Sequence, residues 1–62
     1  DFFSAVKLCK KKRIGPARNE SNRPLFYKKD IAVLARNGFD FDTSKRVMDL
    51  SKEEYEKITR LF

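Results

Sequence analysis

KKDIAVLARNGFDF, residues 28–41, is the stretch from which the architecture can be read. With Tyr27 set before it, apolar residues fall at Tyr27, Ile31, Leu34 and Ala35, one stripe of an α-helix. Asn37-Gly38 follows at once. Gly38 is free to take the left-handed conformation that closes a helix, and Phe39 stands where a closing hydrophobic contact is usual. Asp40 then supplies a capping acceptor for a new helix. Two helices therefore meet at a tight corner, and the rest of the chain has to cover the apolar faces brought together there. Asp30 has Phe26, Tyr27, Val33 and Leu34 three and four residues away, so no cation pairs with it along the helix. It reads as a surface acid at the edge of the apolar face.

Working outward toward the N-terminus, Pro24 suits a first helical turn and Asn22 a cap before it, which places the start of this central helix near Leu25 and its end near Asn37. Phe26 and Val33 lie off its main stripe and face either the first helix or a neighbouring domain. Residues 13–24 form a long connection for a compact helical bundle. Its middle, ARNESNR at 17–23, is polar and aperiodic. Such a connection is either functional or mobile, and the three arginines in it (Arg13, Arg18, Arg23) leave both readings open. Gly15-Pro16 ends the preceding helix, which runs from Phe2 to Lys12 with Phe2, Ala5, Val6 and Cys9 on one face. Ile14 is placed to fold back on it. Asp1 favours the positive end of that helix dipole, although a helix continuing upstream in a longer parent is the better reading.

Toward the C-terminus, a third helix is expected from the Asp40 cap to about Asp49, burying Phe41, Ser44, Val47 and Met48. Ser51-Lys52-Glu53-Glu54 is a capping box that opens a fourth helix. Tyr55, Ile58, Leu61 and Phe62 make that tail amphipathic, and it needs something to pack on. No strand pattern is present. The expected fold is all-α: a small three-helix unit over residues 1–50 with a helix-turn-helix-like corner, and a C-terminal helix over 51–62 packing on it or on a neighbour.

Composition removes several function classes. With no histidine, Ser-His and Cys-His pairs are impossible. Cys9 is the single cysteine, so no disulfide framework and no nitrogen–sulfur zinc site can be assembled. It lies on an apolar stripe and reads as a buried structural thiol. A lone thiol without a secretory signal fits a reducing compartment, the cytoplasm. Asp40 and Asp42 read as a cap and a dipole-favoured neighbour. RIGPAR at 13–18 lacks the sequel of a phosphate-binding loop. Nothing asks for a cofactor or a small-molecule substrate, and no apolar run is long enough to span a bilayer. The first residue, Asp1, reads as the start of a piece of a longer chain.

Charge is uneven. Residues 1–36 carry ten Lys or Arg against three acids, a net of +7; residues 37–62 carry five against six, a net of −1; the total is +6. The asymmetry points either to an acidic partner for the first part, nucleic acid or protein, or to a basic face kept for solubility. The candidate binding residues are Lys10, Lys11, Lys12, Arg13, Arg18, Lys28, Lys29 and Arg36. A helix-turn-helix DNA-binding domain is the alternative. Against it, only Lys45 and Arg46 are cationic on the helix that would enter the groove, while Asp40, Asp42 and Asp49 would face phosphates.

Taken together, KKRIGPAR at 11–18, KKDIAVLARNGF at 28–39 and the Lys-Arg-Val of 45–47 resemble the C-terminal segment of the RecX family, the bacterial regulators of the recombinase RecA. The resemblance covers roughly residues 1–49. It implies one of several tandem three-helix repeats in a cytoplasmic protein without catalytic activity. Such proteins bind in the groove of the RecA–DNA filament and inhibit its recombination and coprotease activities. On that basis the cations named above would meet acidic RecA surface or the filament's DNA, in a chain that is a monomer within a longer protein.

Overall fold

The structure, a computed structural model, describes residues 2–62; Asp1 and its expected dipole contact lie outside them. Four helices follow in chain order, α1 (Phe2–Lys12), α2 (Tyr27–Arg36), α3 (Phe41–Met48) and α4 (Lys52–Thr59), with a 3-10 turn (Gly15–Ala17) after α1. Among the described residues there is no strand, and the fold is all-α as the periodicity predicts. α3 lies against both α1 and α2, and α4 lies on α1. The 3-10 turn touches all four helices. The molecule measures 26 × 25 × 18 Å. Its shortest dimension has room for two helix layers of about 10 Å each, so the core is one layer of side chains. That layer is Ala5, Val6 and Cys9 from α1, Ile14, Leu34 from α2, and Val47 and Met48 from α3.

The helix ends are closed by local chemistry. Gly38, at φ +92°, ends α2, with Gly38 N–H donating to the Ala35 carbonyl and Phe39 N–H to the Leu34 carbonyl. This is the closing pattern that folds Phe39 back on the core. α1 closes in a similar way, with Ile14 N–H donating to the Cys9 carbonyl at 3.1 Å, but here the left-handed residue is Arg13, at φ +56°. A residue with a Cβ in that region costs roughly 1–2 kcal/mol, and burial of Ile14 offsets it. The Asp40 side chain caps α3 by accepting from Thr43 N–H at 2.7 Å. At α4 the capping box is complete: Glu54 N–H donates to Ser51 Oγ and Ser51 N–H to Glu54 Oε1.

Five expectations need correction. α2 begins at Tyr27, not Leu25; Asn22 offers its main-chain carbonyl to Phe26 N–H instead of capping with its side chain, and Phe26 is the cap residue. Ala35 is exposed, because the buried stripe of α2 is centred on Asp30 and Leu34. Asp30 is therefore wholly buried, not a surface acid. Phe41 is 66% exposed, since the inward face of α3 is Ser44, Val47 and Met48. α4 ends at Thr59, which leaves Leu61 and Phe62 exposed beyond it while Tyr55 and Ile58 pack on the core.

Candidate functional site

The site is built around one buried carboxylate. Asp30 accepts from Gly15 N–H at 2.8 Å and from Arg18 twice, Nε to Oδ2 at 2.7 Å and Nη2 to Oδ1 at 2.9 Å. Burial by itself would raise the pKa of this carboxyl. The hydrogen bonds from Arg18 and Gly15, with the charges of Arg18 and Lys29, outweigh burial and hold it below the usual carboxylate range. The bond to Asp30 likewise raises the pKa of Arg18, so both charges persist. The outer face of the guanidinium stacks on the Phe26 ring, 4.1 Å from its centroid.

These contacts make the 13–26 connection a strap. Arg18 fastens its first half to α2. Arg23 fastens its second half to the junction of α3 and α4, donating to the main-chain carbonyls of Met48 and Leu50. The Met48 carbonyl is one that a helix end leaves without a partner, and the Leu50 carbonyl lies in the link to α4. Glycine is required at 15 for two reasons. Its φ is +57°, and a Cβ there would lie 2.8 Å from Met48 Sδ. Of the arginines singled out in the sequence, Arg18 and Arg23 thus hold the fold together, and the Gly15-Pro16 break is a buried joint and not a plain stop.

The strap also links the segments that carry the two basic clusters. Lys10, Lys11, Lys12 and Arg13 end α1 two residues before Gly15; Lys28 and Lys29 immediately precede Asp30. The Gly15–Asp30 bond therefore joins the segments that carry them. All six side chains are exposed, as is Arg36, two turns from Lys29 on the outer side of α2. The ion pairs among the described residues are Arg18–Asp30 and Lys57–Glu53, so none of these seven cations is in an ion pair there, and of them Lys29 lends its charge to Asp30 from a distance. The eighth candidate, Arg18, is taken up by Asp30.

The other chemistry is quiet. Burial, with a contribution from the Asp30 charge, pushes the Cys9 thiol up to about 12, which makes it a poor nucleophile. No cluster of potential metal ligands and no pocket occurs among the described residues. No helix among them is long and apolar enough to cross a membrane. α3 offers a poor groove-reading surface: besides Lys45 and Arg46 it exposes Phe41 and Asp42, and Arg46 leans over the Phe2 ring at 5.7 Å.

The sequence reading missed the burial of Asp30, the anchoring by Arg23 and the packing role of Gly15. A signal for Asp30 was present. Tyr27, Asp30, Ile31 and Leu34 are spaced i, i+3, i+4, i+7, which puts the acid inside the stripe. Its cation comes from the strap, twelve residues upstream, not from its own helix.

No family model matches the chain, and no solved structure matches it. Over 58 residues, 94% of its length, it is 34% identical to the regulatory protein RecX of Agrobacterium fabrum strain C58. The chain is related to the RecX family. It spans about a third, 32%, of that RecX protein. Nearly every element described above, from α1 through α4, falls within a match of that extent.

Proposed function

We propose that the chain is the C-terminal domain of a RecX-type regulator that has no catalysis of its own, binds the RecA recombinase filament in the cytoplasm and inhibits its recombination and coprotease activities. The observation that carries this reading is that seven exposed cations with no ion pair among the described residues (Lys10, Lys11, Lys12, Arg13, Lys28, Lys29 and Arg36) lie at the end of α1 and along α2, the segments that the Gly15–Asp30 bond links. Their free charge favours an acidic surface, either RecA itself or the DNA it coats. The kinship with a protein named as regulatory supports the same conclusion, as does the absence of histidine. Arg18 contributes indirectly, by fixing the strap that links the segments carrying the two clusters.

The test is RecA ATPase turnover on single-stranded DNA with the full-length parent protein added. Turnover should fall, and reversing Lys11, Lys12, Lys28 and Lys29 to glutamate should restore it while the fold persists. Undiminished turnover at saturating parent protein would count against the reading. A helix-turn-helix domain would instead prefer one DNA site over a scrambled sequence.

A further inference from the structure

We propose that Pro24, Leu25 and Phe26, with Lys28 and Lys29 beside them, form a docking corner for an acidic protein segment that lays an apolar side chain against Leu25. Leu25 is 76% exposed, the most exposed large apolar side chain among the described residues. A single exposed leucine is ordinary. This one sits in an apolar triplet that is held at both ends. Arg23, just before it, is bonded to the Met48 and Leu50 carbonyls. Phe26, at its end, lies under the Arg18 guanidinium that Asp30 fixes. The corner is thus ordered before any partner arrives, which removes much of the entropic cost of binding.

Charge selects the partner. Lys28 and Lys29 are exposed and have no ion pair. The carboxylate nearest to them in sequence, Asp30, is neutralised by Arg18; the strap's one acid, Glu20, is five residues before Leu25; and Asp49 accepts from the Tyr27 hydroxyl at 3.5 Å. A segment with carboxylates flanking an aliphatic or aromatic side chain satisfies both features. Nucleic acid satisfies one of them. Its bases bind by stacking on aromatic faces, but the Phe26 ring already carries a guanidinium, and leucine has no such face. The inference rests on the proposed function only in taking the RecA filament as one of its probes.

The experiment titrates the 62-residue chain against four probes at one ionic strength: a labelled peptide alternating glutamate and leucine, an all-glutamate peptide of equal charge, an oligothymidine, and a RecA filament. The glutamate–leucine peptide should bind best of the first three. Leu25→Ser should weaken it roughly tenfold, the value of one buried leucine side chain, and leave oligothymidine unchanged. Lys28→Glu with Lys29→Glu should weaken all three. Because Leu25 is exposed, its variant should keep the helical circular dichroism of the wild type. Equal binding of the two peptides, an unaffected Leu25→Ser, or tighter binding of oligothymidine would overturn the docking corner. Peptide binding that depends on Leu25, with no binding to the filament, would keep the corner and remove RecA as its partner. Filament binding with neither peptide preference nor Leu25 dependence would do the reverse.

Discussion

Arg18 holds Asp30 in a two-pronged grip at 2.7 and 2.9 Å, and the two ends of that grip are unequally placed. The carboxylate side chain is 1% exposed while the guanidinium side chain is 22% exposed. Removing either partner therefore has a different consequence. Arg18→Ala strands a buried anion with only Gly15 N–H for company, whereas Asp30→Ala leaves a cation that can turn toward water.

Arg18→Ala should accordingly be the costlier change, at about 3–5 kcal/mol, with Asp30→Ala at about 2–3 kcal/mol. A 62-residue chain has a total stability of roughly 3–9 kcal/mol, so Arg18→Ala should leave much of the population unfolded. Urea denaturation followed by circular dichroism measures both. An Arg18→Ala loss below about 1 kcal/mol would mean that the strap is not held by this pair.

Stability should also fall at both extremes of pH, for opposite reasons. The Asp30 carboxyl is held below its ordinary value of 3.8, so the folded chain binds that proton less tightly than the unfolded one. Its contribution is complete above 3.8 and disappears as pH drops through the lower folded value. The Cys9 thiol is raised from 9.0 to about 12, so the folded chain binds that proton more tightly. That contribution is complete below 9.0 and disappears between 9.0 and about 12. It amounts to about 4 kcal/mol at most, on the order of 1.4 kcal/mol for each pH unit. Cys9→Ala should flatten the alkaline limb of a stability–pH curve without abolishing it, because burial also raises Tyr27 and Tyr55. An alkaline limb unchanged by Cys9→Ala would contradict the buried thiol.

The parts legible in the sequence are those fixed by neighbouring residues. The limits of α1, the Asp40 cap, the Ser51–Glu54 box and the Gly38 closure depend on side chains within about four positions of one another, and each forms where the pattern puts it. The parts that were not legible depend on contacts across the chain. Nothing local shows that Arg23 will reach carbonyls 25 and 27 residues away, or that the polar run 17–23 will be tied at both ends. Asp30 shows the difference within a single helix. Its spacing marked it for the interior, but its charge argued against burial until the strap supplied Arg18. Phe41 shows the opposite error, an apolar residue at a helix start that stays largely exposed.

The two glycines should respond differently to the same substitution. Both have positive φ, so alanine is strained at each by about 1 kcal/mol. Around Gly38 there is open space, and Gly38→Ala should cost little beyond that strain. At Gly15 the new Cβ would lie 2.8 Å from Met48 Sδ and 3.5 Å from Cys9 Sγ, both buried. Overpacking adds about 1–3 kcal/mol, so Gly15→Ala should cost at least twice as much as Gly38→Ala. In a double-mutant cycle, Gly15→Ala and Met48→Ala should be coupled by about 1 kcal/mol or more, while Gly38→Ala and Met48→Ala should add. Equal losses at the two glycines would show that Met48 yields freely.

Ser44 offers a gain instead of a loss. It is wholly buried on the inner face of α3, and its hydroxyl oxygen has no hydrogen-bond partner among the described residues. Taking a hydroxyl out of water with nothing to replace its hydration is unfavourable by about 1–3 kcal/mol on mutational scales. Alanine removes that cost and is also the better helix former. It leaves a void of only one oxygen atom, so little packing is surrendered. Ser44→Ala should therefore raise stability by roughly 0.5–1 kcal/mol, which for a domain of this size moves the melting midpoint by about 2–8 °C. Ser44→Val, which adds volume at the same place, should lower it. A thermal melt of the three chains decides the matter, since a Ser44→Ala chain less stable than wild type would show that the hydroxyl makes a bond it needs.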